Sequence, residues 1–167
     1  WGGSFWYGLS CWSITRVALL KAGDHEHIIA NNDGLTREFA EEILQRMGVE
    51  VECCAHAVGA DIASLFKANT ALVMLETPGS HTFEMPDVPA IATACQAKGV
   101  ISVIDNLWAT PLFFKPLDVC VDVVIHAPTK YIGGHSDLTL GFVICNTKSL
   151  PSAFRTFVQP GQITVSH

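Results

Sequence analysis

Short apolar runs alternate along the chain with longer segments of helical periodicity. Residues 70–75 and 100–104 lack the polar residue at every second position that a half-solvated strand shows, so they read as strands covered on both faces. Residues 27–30, 49–54, 121–125 and 140–145 are further strand candidates. Between them, Ser10 caps a helix over 10–22 that Gly23 closes. Asn31-Asn32-Asp33-Gly34 reads as a turn. Thr36 then caps a second helix, in which Phe39, Ile43, Leu44 and Met47 recur at helical spacing before Gly48. Residues 60–66 and 88–98 read as helices, the latter ended by Gly99. This alternation predicts an α/β layered domain with a mainly parallel sheet, a class that places ligands at the carboxyl ends of its strands.

Composition narrows the picture. A chain of 167 residues affords one ordinary domain or part of one. Hydrophobic residues make up 49% and charged residues 16%, an apolar surplus expected to face structure beyond the domain itself. The formal charge of -6, with no cluster of Lys and Arg, argues against a nucleic-acid partner. No apolar stretch approaches the roughly 20 residues of a membrane span. The opening Trp1-Gly2-Gly3-Ser4 resembles no secretory leader and lacks Met, so a fragment is expected. Cysteines at 11, 53, 54, 95, 120 and 145 form no CxxC pair and read as small buried hydrophobes of a reducing, cytoplasmic compartment. No GxGxxG or GxxxxGK[ST] loop follows a strand, which disfavours a nucleotide-binding domain.

Polar residues gather just past the predicted strand ends. Asp105 follows an apolar strand, where an ionised carboxylate needs a cation or hydrogen-bond donors; capping of the next turn is the alternative. Lys130 stands in the glycine-rich segment Thr129-Lys130-Tyr131-Ile132-Gly133-Gly134. A lysine in a partly apolar pocket there is a nucleophile for carbonyl carbon, and a solvated surface charge otherwise. Gly8-Leu9-Ser10 opens a helix whose free first-turn N–H groups suit a phosphate or serve as a plain cap. Ser80 lies in Glu76-Thr77-Pro78-Gly79-Ser80, as a substrate contact or a turn residue.

Val103-Ile104-Asp105-Asn106-Leu107-Trp108-Ala109-Thr110-Pro111-Leu112 and Thr129-Lys130-Tyr131-Ile132-Gly133-Gly134-His135-Ser136-Asp137 flank Phe114-Lys115-Pro116-Leu117-Asp118. Together these segments resemble the pyridoxal-phosphate (PLP) enzymes of cysteine and methionine metabolism, with weaker similarity from Gly8 to about Leu140. The resemblance implies the three-layer α/β/α large domain of type I aminotransferases. Residues 1–167 would form part of that domain, without the family's amino-terminal arm or its carboxy-terminal domain.

The resemblance also implies roles. Lys130 matches the lysine that carries the cofactor and moves the substrate's α-proton. Asp105 matches the partner of the pyridine nitrogen, and Thr129 a phosphate donor. Gly8 and Leu9 match the phosphate loop. Pro-Gly-Ser at Pro78-Gly79-Ser80 is similar to the cystathionine β-lyase branch, in which α,β-elimination converts cystathionine to homocysteine, pyruvate and ammonia. A γ-synthase or γ-lyase, or a non-catalytic remnant, are the alternatives. Asp33 stands where the family stacks a tyrosine on the ring, and Ala127-Pro128 precede Thr129 in place of the usual residues. The full-length relative is expected to be a homotetramer in the cytoplasm that acts on a small amino-acid substrate.

Overall fold

The computed structural model describes residues 2–5, 8–30, 34–80 and 82–145, with the side chains of all but 2–5, 8–10 and 35. Strands β1 (Gly2–Phe5), β2 (His25–Ile29), β3 (Glu50–Cys54), β4 (Thr70–Glu76), β5 (Ile101–Asp105), β6 (Val123–His126) and β7 (Gly141–Cys145) form one sheet in the order β1-β7-β6-β5-β4-β2-β3. β3, β2, β4, β5 and β6 run parallel, while β7 is antiparallel to both its neighbours, β6 and β1. The helices are α1 (Gly8–Leu19), α2 (Gly34–Phe39), α3 (Val88–Lys98) and the short α4 (Thr110–Phe113).

Alternate residues of the central strands feed two separate cores, as a pleated sheet dictates. Ile28, Leu72, Met74, Val103, Val123 and Ile125 pack with Cys11, Trp12 and Leu20 of the α1 layer and with Ala40 and Leu44 beyond α2. Ile29, Val73, Leu75, Ile104 and Val124 pack on the other face with Ile62 and with Val88, Ile91, Ala92 and Cys95 of α3. Two helical layers on one sheet make the three-layer α/β/α architecture. Leu72, Val73, Met74 and Leu75 are fully buried, and burial of each such side chain contributes about 1.5–3 kcal/mol.

Local chemistry sets several boundaries. The Asp87 carboxylate accepts from Ala90 N–H at 3.1 Å and starts α3, and Gly99 ends it in the left-handed region at φ 69°. The helix expected over 60–66 is instead part of a 3-10 segment, His56–Ser64, which kinks at Gly59 with φ 51° and ψ -136°. The helix that Thr36 was expected to cap instead begins at Gly34 and includes Thr36, and past Phe39 it widens into a π turn over Ala40–Leu44. At the sheet's edge, β3 is largely solvated, so it departs from the expectation of strands covered on both faces.

Arg16 of α1, wholly buried, reaches Glu26 of β2 with two guanidinium nitrogens: Nε donates to Oε1 at 2.7 Å and Nη2 to Oε2. Its Nη1 donates to the Thr36 carbonyl at 3.1 Å, and the Phe39 ring lies 5.5 Å beneath. One side chain thus joins α1, β2 and α2. Burial raises the Glu26 carboxyl above the ordinary range, and the Arg16 guanidinium pulls it part of the way back.

Candidate active site

The carboxyl ends of β4, β5 and β6 lie side by side, since Glu76 pairs in register with Asp105 and Asp105 with Ile125. Asp105 is the focus of this edge. Trp12 Nε1 donates to its Oδ2 at 2.9 Å, and Leu107 N–H to its Oδ1 at 2.9 Å. Some of the residue's surface stays accessible while protein crowds the carboxylate, and desolvation raises its pKa. The Leu107 and Trp12 donors, His126 and Lys130 each oppose that shift without cancelling it. Asp105 therefore does cap its turn, as the plainer reading held, yet among the described residues no cationic side chain hydrogen-bonds to it.

Among the described residues, two buried polar atoms near this carboxylate have no hydrogen-bond partner. His126 Nδ1 lies 3.1 Å from the Asn106 carbonyl, while its Nε2 has no protein partner; Asn106 Nδ2 donates to Phe114 O, and its Oδ1 has none. Unpartnered buried polar groups are rare enough to call for an explanation, and a bound ligand is a common one.

Trp12 also fixes the position of the phosphate-loop candidates. It stands four residues into α1, so the first turn at Gly8 and Leu9 sits about 6 Å further along the axis, with its backbone donors free of intrahelical partners. Nothing is described of the Leu9 side chain. Asp33, the ring-stacking position, lies outside the described residues, as do His81 and residues 146–167.

Lys130 lies in a turn closed by Lys130 N–H to Ala127 O, Gly133 N–H to Pro128 O at 2.7 Å and Gly134 N–H to Lys130 O at 2.8 Å. A Cβ on Gly133 would meet the Pro128 carbonyl at 3.2 Å, so the turn is packed to fit glycine. Lys130 is exposed rather than enclosed in the partly apolar pocket that was expected, and it lines a cavity of about 440 Å³ with Thr129, Tyr131, Gly134, Ser136, Leu138 and Thr139. Asp105 lines neither this cavity nor the adjoining one of about 530 Å³ over Trp108, Leu112, Phe113 and Tyr131. Thr129 Oγ donates to Leu140 O at 3.1 Å and accepts from Leu140 N–H at 2.8 Å. Its proton is therefore engaged in bracing the turn to β7.

Ser80 donates to Glu76 Oε1 at 2.5 Å, one strand away from Asp105. Phe83 of the same loop meets the Trp108 ring edge-on at 5.1 Å, and Trp108 lies 6.3 Å from Tyr131. Phe83, Thr110 and Ser136 all take positive φ, at 56°, 55° and 57°. Left-handed conformations of this kind cost non-glycine residues about 1–3 kcal/mol each and gather where function requires them.

Asn106 stands beside Asp105 in the polar cluster that the sequence places past its strand, whereas Trp12 and His126 carry no site assignment there. Trp12 meets Asp105 across 93 positions, a contact that only the sheet order creates. For His126 a signal was present, as a polar residue directly ending an apolar strand.

A parallel α/β sheet with a crowded carboxylate, a lysine turn and a helix N-terminus at its carboxyl edge has the architecture of the type I fold of PLP enzymes. The chain belongs to the family described as Cys/Met metabolism PLP-dependent enzyme, which its residues 4–165 match. A putative cystathionine beta-lyase of Rhizobium johnstonii is 47% identical over 141 residues, covering 84% of this chain and 36% of the relative. An L-alanine/L-glutamate racemase of Wolbachia pipientis is 39% identical, covering 96% and 39%. The crystal structure of cystathionine gamma-lyase from Lactobacillus plantarum complexed with L-serine superposes with a TM-score of 0.84 at 33% identity, covering 93% of this chain and 41% of that one. The chain thus spans well under half the length of these relatives.

Proposed function

We propose that this chain is the cofactor-holding core of a carbon–sulfur lyase that splits cystathionine by α,β-elimination. The observation that carries the reading is Asp105, a crowded carboxylate of raised pKa at a strand end, with Lys130 near enough to act on it electrostatically. PLP, the cofactor of the family, fits these residues: its pyridinium N–H is the cation that Asp105 lacks, and its phosphate suits the first turn of α1.

When bound, the cofactor supplies an electron-withdrawing ring that acidifies the substrate's α-C–H bond. Asp105 keeps the proton on the ring nitrogen, and Trp12 and Leu107 hold the carboxylate in place. Lys130 would hold the cofactor through its amine and, with that amine free, would take the substrate's α-proton and return a proton to the departing sulfur. Water completes the release of homocysteine, pyruvate and ammonia. Gly8 and Leu9 offer backbone donors to the phosphate. Thr129 joins them only by turning its hydroxyl away from Leu140. Ser80 faces the substrate from the neighbouring loop.

The same residues serve γ-elimination, the second reading, which the likeness to a γ-lyase structure favours. Products separate the two, pyruvate for β-elimination and 2-oxobutyrate for γ-elimination. Leu112 and Phe113, 79% and 81% exposed, lie near exposed Tyr131 and Ile132, and such a patch supports a homo-oligomer, a tetramer in the full-length protein. The six cysteines are free, which supports the reducing cytoplasm as its setting. Among the described residues no helix is long and apolar enough to cross a membrane.

The test is direct. Mixing the purified chain with PLP is expected to give a near-violet absorbance band, and borohydride to fix the cofactor on Lys130. Lys130→Ala is expected to abolish that labelling. Label spread equally over Lys21, Lys67, Lys98 and Lys115 would show that no cofactor site forms and that the chain is scaffold only.

A further inference from the structure

At the amino ends of the strands, opposite the edge that holds Asp105, three electron-rich groups face one another. His25 and His27 of β2 are 0% and 2% exposed and project to the same side of the sheet, two residues apart. His27 pairs in register with Glu52 of β3, whose Oε2 lies 3.5 Å from His25 Nε2. The imidazole rings are 4.4 Å apart and nearly perpendicular.

The hydrogen bonds of the two rings decide what each presents to the centre. His27 Nε2 lies 3.1 Å from the Leu65 carbonyl, which only accepts, so Nε2 carries the proton and Nδ1 a bare lone pair. His25 Nδ1 lies 2.8 Å from the Thr70 hydroxyl, whose oxygen also accepts from Lys67 N–H at 2.7 Å and keeps a second lone pair for an Nδ1–H. That tautomer leaves His25 Nε2 bare. Both inward nitrogens are buried without a hydrogen-bond partner. Desolvation, and secondarily His27 and Lys67, lower the His25 pKa, which keeps its ring neutral.

We propose that His25 Nε2, His27 Nδ1 and a Glu52 carboxylate oxygen form a binding site for a divalent transition-metal ion of the Zn2+ class, separate from the cofactor site. Two imidazoles and a carboxylate are a donor set suited to such an ion, with water as the fourth ligand. The candidate ligand atoms lie within 4.8 Å of one another. Ligands at 2.0–2.1 Å in a tetrahedron stand about 3.4 Å apart, so the His25–Glu52 distance already fits and the widest pair needs to close by at most about 1.4 Å. The outer nitrogens are tethered to Leu65 O and Thr70 Oγ, the arrangement that orients metal-bound histidines. Lys67 Nζ holds Glu52 Oε1 and Glu50 Oε1 at 2.6 Å each and leaves Glu52 Oε2 to the centre. An ion here would tie β2 to the edge strand β3.

Calorimetric titration of the purified chain with ZnCl2 tests the site. One ion per chain is expected, with a raised Tm and with affinity unchanged after saturation with PLP. Glu52→Gln, at an exposed position that leaves folding intact, is expected to weaken binding about tenfold or more, and Lys67→Ala to tighten it by freeing the carboxylate. CoCl2 is expected to give visible d–d bands without thiolate charge transfer. Absence of stoichiometric binding overturns the proposal. So does a Zn2+ affinity that stays within twofold in both variants, or a Co2+ spectrum showing cysteine ligation.

Discussion

Two carboxylates on the α1 face of the same sheet have opposite fates. Glu26 of β2 is met by a fully buried arginine that donates to both its oxygens, so the charge is closed within the chain. Among the described residues, Asp105 of β5 receives the neutral donors of Trp12 and Leu107 and no cationic one. Burial raises both groups above their ordinary range. The difference is one of purpose: an ion pair complete in itself locks helices to the sheet, whereas a carboxylate left without a cation suits a cation that arrives from outside. The first stabilises the scaffold; on the proposed reading, the second costs it stability until the cofactor binds.

Arg16→Ala breaks the closed pair and has the largest expected effect. It leaves Glu26 buried and uncompensated, a loss of about 3–5 kcal/mol that a lowered urea midpoint reports. Replacing Arg16 and Glu26 together by Met and Leu is expected to cost far less, since the penalty belongs to the unpaired charge.

Asp105→Asn probes the open carboxylate. Its folded-state pKa lies above the unfolded value of about 3.9, so protonated Asp105 stabilises the fold at low pH and that stabilisation is lost as pH rises through the folded value. Without cofactor, the wild type is therefore expected to lose urea resistance relative to Asp105→Asn as pH rises above about 4. Adding PLP is expected to reverse the order, because only the carboxylate pairs with a pyridinium. An Asn variant that bound PLP as tightly as the wild type would remove the functional contrast.

Trp12→Phe has the smallest expected effect. It keeps the aromatic packing and deletes one donor to Asp105, at a cost of about 1.5–3 kcal/mol while the carboxylate is ionised and less when it is protonated. It should also move the pH window of Asp105 upward. Parallel urea titrations of variant and wild type check both.

What the sequence revealed follows a physical division. The unbroken apolar runs that became β4 and β5 announced a covered parallel sheet, and Gly99 marked the end of α3, because caps and burial patterns are local. Lys130 and Asp105 were legible through their motifs. β1 was not, since Gly2-Gly3-Ser4-Phe5 carries no strand pattern and becomes a strand only through its pairing with β7. The Trp12 contact, the bond of Thr129 to Leu140 and the meeting of His25 with Glu52 arise from register and crossover order, which no single segment encodes.

The two margins of the sheet differ as templates for an added strand. β3 is guarded: Glu50 and Glu52, bridged by Lys67, line its exposed side, and an incoming backbone would have to desolvate those charges. β1 at the opposite margin is four residues of neutral, glycine-rich chain with no such guard in its own sequence. Among the described residues, an added strand therefore meets charge at the β3 margin and none at the β1 margin. A single charged or proline substitution within Gly2–Phe5 is the economical way to guard the β1 margin.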